Sequence, residues 1–306
     1  MLNRRKLISH LGLGALSLNI PLPSLAQGNL SSVLLKDNIY LVSGAGCNIL
    51  VAEGADSLLV VDGGLAQYNA QVLDQLDKIG GGKPVATLFN TNWRDEHCGL
   101  NHALTNSSID IIAHENTRLW QNANFQVAWE NRQHDPLPEN VQANRTFYKK
   151  DSLVFNSEKV NYGFISQAHT DGDIYIYFSD ANVLAVGDML NPESYLLLDY
   201  VTGGWISGAQ KTTAGLIEMV NEDTIVVAAN GKVSGLAELQ QQKEMLDHAY
   251  DQVANAYRTG RSLDQFAATD PMAPFNQVYG DAALFVELLY RGTWYHVPGR
   301  AIQGII

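Results

Sequence analysis

Residues 91–101 read TNWRDEHCGLN and follow an apolar run, VATLFN (85–90). A polar cluster at the end of a buried strand is where metal-binding and catalytic side chains usually sit, because the ends of parallel strands open into a crevice. Glu96 and His97 are ligand-type side chains, whereas Arg94 carries a fixed cation and no lone pair for a metal. The stretch reads as a metal site, a damaged one, or no site.

Three other loops occupy the same kind of place. AHTDGD (168–173) follows ISQ, GDML (187–190) follows NVLAV, and NGK (230–232) follows TIVVAA. In an open sheet, loops at strand ends can converge on one crevice, which would gather Glu96, His97, His169 and Asp188.

Around these loops the pattern alternates between strands and helices. SVLLKD (32–37), NIYLVSG (38–44), NILVAEG (48–54) and SLLVVDGG (57–64) are short strand signals broken by Asn, Gly and Asp. Tyr68, Val72, Leu73, Leu76 and Ile79 recur at helical spacing over 67–79. The strand 85–90 follows, then a strand at 108–114, a helix over 115–128 and a Pro- and Asn-rich surface loop, DPLPENVQAN (135–144). RTFYKK, DSLVFNS, KVNYGFISQ, DIYIYFS and ANVLAVGD form a second strand group. A helix at 206–221, a strand at 223–230 and helices from about 235 complete the chain. The expectation is an α/β (α+β) fold of two similar halves, each a mixed sheet covered on one side by helices.

The order of these motifs resembles the metallo-β-lactamase superfamily, an αββα sandwich in four layers. VVDGG (60–64), the loop 168–173 and Gly187-Asp188 match the family's pattern, and the resemblance runs from about residue 32 to about 240. The family's main motif, H-x-H-x-D-H, is altered here. Asn92 and Arg94 stand at its first two His positions and Glu96 at its Asp, while His97 is kept. Asn230 stands where the last His ligand belongs. The resemblance implies a first metal held by the two lost His and His169. It implies a second held by Glu96, His97 and Asn230, with Asp188 bridging.

A catalytic zinc keeps three protein ligands and one open position for water. The first position retains His169 and Asp188 beside a guanidinium, which will not hold a divalent ion. The second retains Glu96, His97 and Asp188, with Asn230 as a weak amide ligand, a set open to zinc first and to manganese or iron. One subclass of true metallo-β-lactamases also carries Asn at the first motif position and works with one metal in the second site. The resemblance thus implies one divalent metal or none. Asp188 and His169 would orient a water, and Arg94 would stabilise a developing oxyanion. The plainer alternative leaves His169 and Asp188 as loop-holding residues, and Arg94 and Glu96 as an ordinary ion pair. In ESYLLLDYVTGGW (193–205), Tyr195, Tyr200 and Trp205 are candidate substrate contacts, or core residues packed on the next helix.

The chain has 306 residues, 46% hydrophobic and 17% charged, which suits one globular unit and excludes disordered and collagen-like classes. Residues 1–26 read as a signal peptide. Arg4, Arg5 and Lys6 precede an apolar stretch, Ser24-Leu25-Ala26 offers a cleavage site, and NRRKLI (3–8) resembles a twin-arginine signal. The mature chain, 27–306, would be periplasmic and without a membrane span. Because 1–26 carries three positive charges and no acid, removing it takes the net charge from −12 to −15. That acidity argues against nucleic-acid and anionic-membrane partners, and the resemblance implies a small-molecule substrate or ligand, with the oligomeric state open. Cys47 and Cys98 are the two cysteines, expected to pair as a disulfide in an oxidising compartment, with two buried thiols as the alternative.

Overall fold

The structure, a computed structural model, describes residues 30–105 and 108–296, with side chains to 293. The signal read over 1–26 lies outside the described residues.

Four strands open the fold in antiparallel order: β1 (Ser31–Lys36), β2 (Ile39–Ser43), β3 (Ile49–Glu53) and β4 (Leu58–Val61). Helix α1 (Asn69–Gly80) crosses to β5 (Val85–Phe89), which pairs parallel with β4. The one-turn α2 (Asp95–Cys98) follows, then β6 (Asp110–His114) and α3 (Glu115–Gln121). A small hairpin, β7 (Phe125–Val127) and β8 (Arg132–His134), leads to β9 (Arg145–Phe147). The first sheet runs in the order β1-β2-β3-β4-β5-β6-β9.

The second sheet contains β10 (Lys150–Phe155), β11 (Glu158–Gly163), β12 (Tyr175–Phe178), β13 (Val183–Gly187) and β14 (Ile225–Ala228), in chain order. Its last pair, β13 and β14, is parallel and is joined by α4 (Ile206–Met219). The long α5 (Leu236–Arg258), the short α6 (Leu263–Ala267) and α7 (Asn276–Tyr279), and α8 (Ala283–His296) follow.

Side-chain alternation builds the layers. On β4, Leu59 and Val61 face the space between the sheets, while Leu58 and Val60 face the layer that contains α1. On β13, Val183 and Ala185 meet the first sheet, and Leu184 and Val186 pack in the core shared with α4, α5 and α8. A central strand buried on both faces must read as a continuous apolar run, as LLVV and VLAV do. The result is the expected four-layer αββα sandwich.

Two boundaries differ from expectation. The helix expected over 115–128 stops at Gln121, and the chain turns into the β7–β8 hairpin. RTFYKK, placed in the second strand group, is divided: β9 extends the first sheet beside β6, and β10 starts the second at Lys150. No described helix is long and apolar enough to cross a membrane.

Candidate functional site

Asp62 after β4, residues 90–97 after β5, and Asp188 after β13 all sit at the carboxyl ends of parallel strands, and 168–173 joins β11 to β12 alongside. Their side chains meet at the end of the inter-sheet core. Gly187 permits this approach: its φ is +53°, and a Cβ there would lie 2.5 Å from Thr91 Oγ1. Behind the crevice, Asn90 donates to the His97 carbonyl (3.1 Å) and exchanges side-chain hydrogen bonds with Asn101, holding α2 in place.

His97 is fully buried between two carboxylates. Its Nε2 lies 2.7 Å from Asp188 Oδ2 and its Nδ1 2.9 Å from Asp62 Oδ2. Burial disfavours the charged imidazole, but Asp62 and Asp188 outweigh it and raise the His97 pKa well above its ordinary value. Burial likewise works against a charged Asp188, yet His97, His169 and Arg94 hold its carboxyl well below the usual range. Both shifts run in the direction of an imidazolium–carboxylate pair. Asn92 fits this arrangement as an amide: Nδ2 donates to Asp188 Oδ2 (3.0 Å) and Oδ1 accepts from the Arg94 backbone N–H (3.0 Å).

His169 Nδ1 lies 2.8 Å from the Leu197 carbonyl, so that nitrogen donates and Nε2 is turned toward Asp188, 3.7 Å away. Its Nε2 is buried without a hydrogen-bond partner. The His169 carbonyl in turn accepts from Asp199 N (2.9 Å).

Arg94 is 6% exposed and belongs to a different group. Its Nε donates to Glu96 Oε1 (2.9 Å), Nη2 donates to Glu130, and Nη1 lies 4.0 Å from Asp199 Oδ2. The indoles of Trp93 and Trp129 lie 5.6 and 5.5 Å from its Cζ. Burial opposes the charge, but Glu96 and Glu130 more than compensate and raise the Arg94 pKa. Glu96 is held ionised chiefly by Arg94, against its own burial.

Several expectations change here. The Arg94–Glu96 ion pair is a one-point contact through Nε, with Glu130 as the second carboxylate on the guanidinium. Asn230 is exposed at the turn after β14, on the rim. Tyr195 is a core residue: its hydroxyl donates to the Met272 carbonyl (3.2 Å) and its ring stacks on Phe285, so it does not line the crevice. Tyr200 is half-buried against the same helical core, and half-buried Trp205 precedes α4. The expected Cys47–Cys98 disulfide is absent. Both thiols are free and buried, Cys47 donating to the Glu96 carbonyl (2.8 Å) and Cys98 to that of Asn92 (3.4 Å).

Glu130, Asp199 and Asp62 were missed as site residues. Glu130 falls between the expected helix (115–128) and the expected loop (135–144), and Asp199 sits among the aromatics of 193–205. Asp62 lies in VVDGG, which matches the family's pattern without singling out that side chain.

These donors do not fit two metals. A guanidinium and the amide of Asn92 occupy the surroundings of the first position. They can fit one dication at the second, where His97, Asp188 and Glu96 supply an imidazole and carboxylates. Glu96 would have to leave Arg94, and the proton between His97 and Asp188 would have to leave. Among the described residues, the three-residue group with ligand atoms already within 4.8 Å of one another is Cys47, Asp62 and His97, on the Nδ1 side of the imidazole. Asp62 is already engaged there by Thr91 N, Thr91 Oγ1 and His97.

The geometry agrees with the comparisons. No curated protein matches significantly. Solved structures do: the DIM-1 metallo-β-lactamase is 18% identical, covering 72% of this chain and 99% of its own with a TM-score of 0.58. The metallo-β-lactamase from Pontibacter korlensis is 15% identical, with 72% and 99% covered and a TM-score of 0.56. TMB-1 is 16% identical, with 73% and 99% covered and a TM-score of 0.57. At such identities these neighbours speak for the fold alone. The family model for the metallo-β-lactamase superfamily matches residues 42–229, which take in β3 to β14 and the crevice loops at 62–64, 90–97, 168–173 and 187–190. By that match, this chain, with its altered ligand positions, belongs to the metallo-β-lactamase superfamily.

Proposed function

We propose that the chain is an exported hydrolase-like protein that holds at most one divalent cation, zinc before manganese or iron. Its substrate would be a small molecule with an ester, thioester or amide bond. The observation that carries this reading is Arg94, buried among Glu96, Glu130 and Asp199 beside the altered first position, while His97 and Asp188 remain together at the second with His169 next to Asp188. A cation held by His97, Asp188 and Glu96 would supply Lewis acidity and a water acidified toward neutral pH.

The chain's own residues have definite tasks in this account. Asp188, held ionised, accepts a hydrogen bond from an attacking water. His169, fixed through Nδ1 on the Leu197 carbonyl, offers Nε2 to the same water. Arg94 helps to hold Asp188 ionised, while its own charge is engaged by Glu96, Glu130 and Asp199 and not by a developing oxyanion. Asp62 orients His97 from behind.

Chromogenic ester, thioester and amide panels test the reading, with Asp188→Asn as the control. Turnover should fall at least ~100-fold in that variant, the scale of losing one preorganised electrostatic group. The second reading, a ligand-binding protein without catalysis, is favoured by the direct His97–Asp188 contact, which closes the second position with a proton. Ligand binding without turnover on any class would establish it and sink the hydrolase. Export is tested separately: replacing Arg4 and Arg5 with Lys should trap the precursor in the cytoplasm, and unchanged export would refute the twin-arginine route.

A further inference from the structure

Three carboxylates distant in sequence meet one guanidinium. Glu96 comes from α2, Glu130 from the tip of the β7–β8 hairpin and Asp199 from the loop before α4. Each faces a different nitrogen of Arg94: Glu96 at Nε (2.9 Å), Glu130 at Nη2, and Asp199 at Nη1 (4.0 Å). Trp93 and Trp129 supply aromatic walls. The cage is braced independently of its occupant. Asp199 accepts from Trp129 Nε1 (3.0 Å), Val201 N (3.2 Å) and Thr202 Oγ1 (2.8 Å). Arg132 joins Glu130 (2.9 Å) to Asp95 (2.8 Å). Arg94 Nη1 is buried without a hydrogen-bond partner, 4.0 Å from Asp199 Oδ2, so the occupant keeps one donor that the cage does not fully take up.

Three anions around one cation leave a local negative surplus, so the enclosure selects for positive charge. Flat indole faces and acceptors spread around a plane suit a guanidinium better than the point charge of an ammonium. Indoles are poor company for a metal, which needs further lone pairs. Two members, Trp129 and Glu130, belong to a hairpin that pairs with neither main sheet. We propose that this is a self-occupied guanidinium site. Arg94 is its built-in ligand and thereby latches the β7–β8 hairpin over one side of the crevice; with the Arg94 side chain removed, the cage binds free guanidinium. This inference is independent of whether the chain hydrolyses anything or holds a metal.

The test uses the full mature chain carrying Arg94→Ala, read by thermal melting and backbone amide exchange. Exchange over 125–134 should speed at least ~10-fold while β13 stays protected. Low-millimolar methylguanidinium should reverse both changes with saturation, and equal concentrations of methylammonium or sodium chloride should not. Adding Glu130→Gln should abolish the rescue. Rescue no better than salt overturns the proposal, as does rescue by zinc or manganese alone, which would make the cage a metal pocket. Should Arg94→Ala fail to fold, Glu130→Gln alone reads the latch, and an unchanged hairpin in that variant refutes it.

Discussion

The crevice has two halves that solve one electrostatic problem differently. Around Arg94, carboxylates surround a guanidinium that cannot lose its charge and is tethered to the chain. Around His97, two carboxylates hold an imidazole whose charge is a proton, and a proton can leave. Buried carboxylates need a cation in either case. On the reading proposed above, the altered first position is filled by Arg94, and the second, where the charge is a proton, stays open to exchange.

The permanent half should show the largest effect when broken. Arg94→Ala leaves Glu96 and Asp199 without their counter-charge and Glu130 with Arg132 alone, and removing one partner of a buried pair costs about 3–5 kcal/mol. Urea unfolding should show a loss of that order. A loss below about 1 kcal/mol would mean that Arg94 behaves as a surface pair and that the contrast between the halves is false.

The exchangeable half should reveal itself through pH. His97 is raised above its ordinary 6.5, so its contribution is complete below about that pH and is lost as pH rises through its folded value. Asp188 is depressed below its ordinary 3.8, so its contribution is present above that pH and is lost as pH falls through the folded value. Stability from this pair should therefore be level from about pH 4 to about 6.5 and decline as pH rises from there toward the folded His97 value. Replacing His97 with Gln should remove that decline in urea midpoints, whereas Arg94→Ala should keep it. An identical decline in the Gln variant would assign the effect elsewhere.

Much of the fold was legible because buried strands and their loops have local signatures. LLVV, VATLF and VLAVG are apolar runs, and each feeds a polar or glycine-rich turn that lands in the crevice. His97, His169 and Asp188 were legible for the same reason, since each lies at a strand end or beside one. Of the partners of Arg94, Glu96 was legible as an ion pair, whereas Glu130 and Asp199 were not. Glu130 depends on α3 ending at Gln121 and the chain doubling back as a hairpin, a tertiary outcome without periodicity to announce it. Tyr195 misled because an aromatic near a strand end is equally suited to a crevice or a core, and packing against α8 decides between them.

Metal content of the mature protein, isolated after export without added metal and read by elemental analysis against chain concentration, tests the central claim most directly. If Arg94 has permanently replaced the first metal, the ratio cannot exceed one per chain, and saturating zinc should not raise it further. A ratio of two would show that the first position still accepts a metal beside a guanidinium, and the account of the two halves would fail.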